Sequence, residues 1–347
     1  MSFILSHCLH RAPAANSETK YPCIMQQAPT WLPYRLRNAI DQARINAALK
    51  IVDRTRPYPA VDHADADAQI SMLMCKRDLR LGVVALKSLL RFDDVRLAAS
   101  FINDGTITGA DRRYVDHHVP NATWQTWKNT SDPRLDEAFA QYPNLKALYF
   151  SDYEPSAKLM HPLVLGRCDR VVQYDSDTAF FARPDRIIEF CRGDDAMPLY
   201  LHDHQDESQV IPPLAHEAFK SLHAYVAPDR PWGIGHRLFN AGMIIYRRDQ
   251  MDLSMAERYL EWLKTAPAKF TTGKPAIWFG PWKVGGVPGR EQTAYHVMCA
   301  LADPPARPLG EHYHIGGNPG HTFNHFLRYY IVRKSTLNML RDLIGQF

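Results

Sequence analysis

Segments that look like strands and helices alternate between residues 67 and 347, and this alternation predicts an α/β domain with a mostly parallel central sheet and helices on both faces. The strand-like runs are nearly continuous in apolar residues, as in Ile70-Ser-Met-Leu-Met-Cys75, which is the pattern of strands buried on both faces. A third observation is the placement of acids: Arg170-Val-Val-Gln-Tyr174 runs directly into Asp175-Ser-Asp177, and the carboxyl end of a strand is where open α/β sheets bind ligands.

Composition fits such a domain. The 347 residues are 46% hydrophobic and 22% charged, which excludes a disordered chain. Lys plus Arg is 41 against 37 Asp plus Glu, a balance of +4 with no basic cluster, so nucleic acid is not an expected partner. The six cysteines form no CxxC pair, so reduced thiols are expected rather than a zinc knuckle or a disulfide framework. The opening Met-Ser-Phe-Ile-Leu-Ser-His-Cys lacks the basic flank of a secretory signal, and no run approaches the roughly 20 apolar residues of a spanning helix. The expectation is a cytoplasmic protein without a transmembrane segment. Oligomeric state is not legible.

Taken in order, residues 1–66 read as an N-terminal helical extension and linker, with one helix over Arg35–Ile51 and a polar stretch at Asp62-His-Ala-Asp-Ala-Asp. Residues 67–347 read as the main α/β domain. Within it Ile70–Cys75 is a strand, Gly82–Leu90 a helix, Val95–Ile102 a strand, Leu145–Phe150 a short strand or buried segment, and Leu159–Leu165 a helix-like stretch interrupted by Pro162. After the strand Arg170–Tyr174 come a polar loop around His202–Gln209, an apolar strand Ala241–Tyr246 and a helix Met255–Lys264. The Gly, Pro and Trp content of Thr272–Gly289 predicts an irregular loop.

Two carboxylates one residue apart on the turn leaving a strand can hold a hard divalent cation whose remaining positions take diphosphate oxygens. A solvated turn is the competing reading of such a pair; here the apolar strand before it and Phe180-Phe181 after it tie the acids to the core. Ala157-Lys158, His161-Pro-Leu, Arg170-Val-Val-Gln-Tyr-Asp-Ser-Asp-Thr-Ala-Phe-Phe181 and Pro184-Asp-Arg-Ile-Ile-Glu189 together resemble the central segment of GT-A glycosyltransferases, most closely the retaining family 8 type. Phe239-Asn-Ala-Gly-Met-Ile-Ile245, Glu291-Gln292 and His314-Ile-Gly-Gly317 are similar to that family's later motifs and follow in the same order, so the resemblance covers roughly residues 70–325.

What the resemblance implies is a GT-A fold and transfer of a sugar from a nucleotide-diphosphate donor, a UDP-sugar, to a carbohydrate or other hydroxyl acceptor, with retention. Asp175, Asp177 and His314 would hold Mn²⁺ or Mg²⁺. Lys158 would meet the phosphate side of the donor, with Ser176, Gly242, Gly317 and His321 as further donor contacts. Asn240, Glu291 and Gln292 would line the reacting sugar. Plainer readings stand beside these: a surface lysine at 158, packing relief at Gly242, a surface acid at a helix start for Glu291, and buried, hydrogen-bonded rings for His312, His314, His321 and His325. The family's late motif continues to Lys-Pro-Trp where this chain has Asn318-Pro-Gly-His-Thr-Phe, so its phosphate-binding lysine is missing and His321 is the substitute at hand. The first strand ends in Cys75-Lys-Arg-Asp78, which also departs from the family, so base recognition does not transfer; Arg77, Asp78 and Asp104 of Asn103-Asp-Gly105 are donor-contact candidates, each with a solvated loop as its plainer reading. Two other functions remain open. A haloacid-dehalogenase-like phosphatase also begins on a strand followed by DxD, though Ala179 and the early Gly193-Asp-Asp195 do not suit it. An inactive sugar-nucleotide-binding protein is the other.

Overall fold

A computed structural model describes residues 33–202, 213–234, 239–271, 277–279, 282–284, 290–317, 320–326 and 331–347. Its strands are β1 (Ala68–Met74), β2 (Leu97–Asn103), β3 (Thr123–Thr126), β4 (Arg170–Tyr174), β5 (Thr178–Phe180), β6 (Leu199–His202), β7 (Phe239–Arg247), β8 (Ile277–Phe279), β9 (Trp282–Val284), β10 (Arg307–Pro308), β11 (Tyr313–Ile315) and β12 (Phe323–His325). Seven of them form one sheet in the order β10-β6-β7-β4-β1-β2-β3. Its pairs are parallel except where β7 runs antiparallel between β4 and β6. The expected mostly parallel α/β sheet is therefore present.

Apolar residues on both faces of the strands build two cores, one on each side of the sheet. Val172 and Tyr174 of β4 with Met243 and Ile245 of β7 join one core, while the intervening Val171, Ile244 and Tyr246 join the other. This is the period of two expected of a strand covered on both sides. The helix Leu79–Leu90 follows β1 and lies in the first core, with every residue from Leu81 to Leu89 buried. The N-terminal helix Tyr34–Leu49 lies within the expected helical stretch, and its Ile45, Ala48 and Leu49 belong to that same core.

Two elements differ from expectation in whole or in part. Of the two readings of Leu145–Phe150 the buried segment holds and the strand does not: Pro143–Tyr149 is a helix, with Pro at its first turn and Leu145, Leu148 and Tyr149 turned into the second core. An apolar run this short carries no periodicity that separates a strand from a buried helical turn. Within Thr272–Gly289, β8 and β9 pair antiparallel as a small ribbon where the composition predicts a loop; the rest of that stretch, and residues 203–212 of the polar loop, lie outside the described residues.

The feature that shapes the site is a second, three-stranded sheet in the order β11-β12-β5. β5 begins immediately after the acidic pair, and β12 runs antiparallel to it with His325 opposite Thr178. The Phe326 N–H donates to the carbonyl of Asp177 at 2.8 Å, which closes this register.

Candidate active site

The carboxyl ends of β1, β2 and β4 share one edge of the main sheet, and because β7 is antiparallel its first residues reach the same edge. A cleft of about 810 Å³ opens there, lined by Cys75 to Asp78, Asp104, Thr106, Glu154, Lys158, Asp175 to Asp177 and Glu291 among others. Asp175 is fixed by its own backbone, whose N–H donates to the carbonyl of Gly242 at 3.0 Å, and Thr178 Oγ1 donates back to the Asp175 carbonyl at 2.8 Å.

Among the described residues, one group of His, Cys, Asp and Glu side chains could share a metal ion: Asp175, Asp177 and His325, with one ligand atom of each within 4.8 Å of the others. His325 Nε2 lies 3.2 Å from Asp177 Oδ1 and 3.6 Å from Asp175 Oδ2. The histidine beside the acids is thus His325 and not His314. The register gives the reason: His314 of β11 lies opposite Asn324, so it shares that residue's face of the small sheet, whereas its neighbour His325 emerges from the other face. The His314 ring instead packs on the His321 ring, with centroids 4.6 Å apart.

Burial works against a charged His325 ring, but the Asp177 and Asp175 carboxylates outweigh it and the histidine's pKa is raised. Burial likewise opposes ionised Asp177, yet His325 holds its pKa below the ordinary carboxylate range. The two carboxylates and the imidazole fit a divalent cation, because they supply two hard oxygen donors and one borderline nitrogen donor within reach of one point.

Lys158 is not a surface lysine. It sits on the short helix Ser156–Met160, it is buried, and its Nζ donates to Asp175 Oδ1 at 2.6 Å and reaches Glu291 Oε1 at 3.0 Å. Desolvation opposes its charge, but the two carboxylates reverse the effect and raise its pKa. Glu291, in the first turn of the helix Arg290–Leu301, is also buried, which removes the surface-acid reading; desolvation raises its pKa against the pull of Lys158. Tyr295 of the same helix donates its hydroxyl to the Lys158 carbonyl at 2.5 Å, and the same hydroxyl reaches Gln173 Oε1 at 2.8 Å, so a polar layer supports the lysine from below.

The other sequence candidates divide. Ser176 and Asp104 line the cleft, and Asp104 Oδ1 is engaged by the Thr106 N–H and hydroxyl at 2.8 and 2.6 Å. Arg77 and Asp78 line it too, as an ion pair at 2.5 Å. Burial first, then the Asp78 carboxylate, push the Cys75 thiol up to about 11, so this cleft cysteine stays protonated near neutrality. Gln292 Nε2 donates to the Phe239 carbonyl at 3.1 Å and holds the start of β7. Asn240 and Gly242 stand at the site but face His325. Gly317 packs against Thr336 of the C-terminal helix Lys334–Ile344, where a Cβ would come 2.6 Å from Thr336 Oγ1.

His325 is the residue that sequence reasoning missed. Its signal was the short apolar frame Phe323-Asn-His-Phe326, too brief to register as a strand without its partner β5.

No protein-family model matches the sequence, and no curated protein matches it. Among solved structures the chain is similar to the galactosyltransferase LgtC in complex with donor and acceptor sugar analogues, at 13% identity and a TM-score of 0.47 over 80% of this chain and 96% of that one. It is similar to mouse xyloside xylosyltransferase 1 at 15% identity and a TM-score of 0.45, over 76% of this chain and 98% of the other. It is also similar to the mannosyltransferase Ktr4p from S. cerevisiae in complex with GDP, at 12% identity and a TM-score of 0.44, over 78% and 79% of the two chains.

Proposed function

We propose that this chain is a metal-dependent GT-A glycosyltransferase that moves a sugar from a nucleoside-diphosphate donor, a UDP-sugar by its sequence resemblance, to an acceptor hydroxyl with retention. The observation that carries the reading is the Asp175, Asp177 and His325 cluster on the ligand-binding edge of the sheet, opening into a cleft large enough for a nucleotide sugar. A divalent cation held there supplies charge neutralisation to a diphosphate leaving group. The chain's own contribution is preorganised electrostatics. Lys158 is a fixed, buried ammonium on the cleft wall, and it is locked by Asp175 and Glu291 before any ligand arrives, so it stabilises negative charge at the leaving side without reorganising. Glu291 holds that ammonium in place from a buried position on the cleft wall.

The test is turnover of a panel of UDP- and GDP-sugars with Mn²⁺ or Mg²⁺, read as nucleoside diphosphate release, with the anomeric configuration of the product read by NMR. The expected result is metal-dependent release that chelation abolishes. Phosphate release from simple monoesters without sugar-nucleotide turnover would assign a phosphatase instead, and donor binding without turnover an inactive binder.

A further inference from the structure

The first residues of β7 decide which nitrogen of His325 faces the acids. The Gly242 N–H donates to Asn240 Oδ1 at 2.7 Å. A backbone N–H only donates, so the atom it meets is the amide oxygen, and the orientation of the Asn240 amide is settled. The same oxygen lies 3.2 Å from His325 Nδ1, so Nδ1 carries a hydrogen that this oxygen accepts. Nε2 is the atom turned toward Asp177 and Asp175. Without a cation the two carboxylates favour a second hydrogen on Nε2, and a cation between them would take that hydrogen's place.

Gly242 supplies the second observation. A Cβ there would stand 2.2 Å from His325 Nδ1, 2.3 Å from its Cε1 and 2.6 Å from Asn240 Oδ1. Neither ring nor amide could keep its place against any larger residue.

We propose that Asn240 and Gly242 are the positioning pair that presents His325 Nε2 to the cation site, Asn240 by fixing the hydrogen on Nδ1 and Gly242 by leaving room for the ring. The inference rests on the metal reading above. Asn240 does this work through its oxygen and is a positioning residue, distinct from a sugar contact. Outer partners of metal-bound histidines change metal affinity by about 10- to 100-fold when lost.

The dissociation constant of Mn²⁺ for the full chain, read from the electron spin resonance of the free ion, tests it. A weakening of about tenfold or more in Asn240→Leu and Gly242→Ala, with Asn240→Asp within about threefold of the wild type, is expected; equal affinity in all four proteins would refute it. A wild type that binds no Mn²⁺ would instead overturn the metal reading of the site on which the proposal rests.

Discussion

At the scale of single residues, the site is a balance of three carboxylates against one ammonium and one imidazole. Asp177→Asn keeps the shape of the turn and removes one charge, so Mn²⁺ affinity and turnover should each fall by about 100-fold or more while the melting temperature moves by a few degrees at most. Titration calorimetry with Mn²⁺ and a thermal melt check this, and undiminished affinity would remove Asp177 from the metal site. Lys158 behaves differently because it is buried. Lys158→Met leaves Asp175 and Glu291 facing each other without a counter-charge, and loss of one partner from a buried ion pair costs about 3–5 kcal/mol. Adding Glu291→Gln should recover most of that stability in denaturant melts without restoring turnover, whereas a single variant as stable as the wild type would show that the pair is solvated. The sequence displayed Asp175, Asp177 and Lys158 because each sits on or beside an element with its own local pattern. It hid His325, because a three-residue strand has meaning only through the register that sets it against β5.

At the scale of elements, β1, β2, β4 and the helix Leu79–Leu90 were readable from apolar runs, since burial on both faces leaves no alternation to misread, whereas β3, with no fully buried residue, and the short β6 and β10 were not. The helix Pro143–Tyr149 and the ribbon β8–β9 were not, because pieces shorter than about two helical turns carry too few residues to show a period. The break after Lys158 has a consequence of its own. His161 starts the π-turn His161–Leu165, and its ring is buried between Gln125 Oε1 and the Tyr149 hydroxyl, each 2.8 Å away. A neutral ring satisfies both, donating from Nδ1 to the Gln125 oxygen and accepting from Tyr149 at Nε2. Desolvation accordingly lowers its pKa from 6.5 to about 4. Between pH 6.5 and 4 the unfolded chain binds a proton that the folded chain refuses, so stability falls as the pH drops through that window. The contribution of this one ring is at most about 3 kcal/mol, because each tenfold change in proton affinity is worth about 1.4 kcal/mol. Urea melts at pH 7 and pH 4.5 should show a smaller acid loss in His161→Gln than in the wild type; equal losses would mean that the ring is already charged in the folded protein.

For the whole molecule, the question is whether residues 33–56 are an appendage or a wall of the domain. The reading of residues 1–66 as an extension places the boundary near Ala66, but packing carries the core across it. Ile45, Leu49 and Val52 are each 5% exposed or less and share a core with β1 and the helix Leu79–Leu90. Burying three such side chains contributes roughly 5–8 kcal/mol, which is comparable with the total stability of about 5–15 kcal/mol of a typical domain. The segment also serves a buried charge. Lys87 Nζ, wholly inside the protein, donates to Thr55 Oγ1 at 2.5 Å and to the Arg56 carbonyl at 2.8 Å, and desolvation lowers its pKa to about 8. On the other side the helix Tyr34–Leu49 touches the cleft, where Gln42 Nε2 donates to the Arg77 carbonyl at 2.8 Å. We therefore propose that this segment folds as part of the α/β domain. A chain beginning at Pro57 would lose the three apolar side chains and leave Lys87 without its acceptors, so it should melt at least about 10 °C lower or fail to fold cooperatively. Replacing Lys87 with Met in that shortened chain should recover part of the loss, because the orphaned charge is then gone. A shortened chain that melts within about 3 °C of the full one, by calorimetry at the same protein concentration, would restore the segment to the status of an appendage.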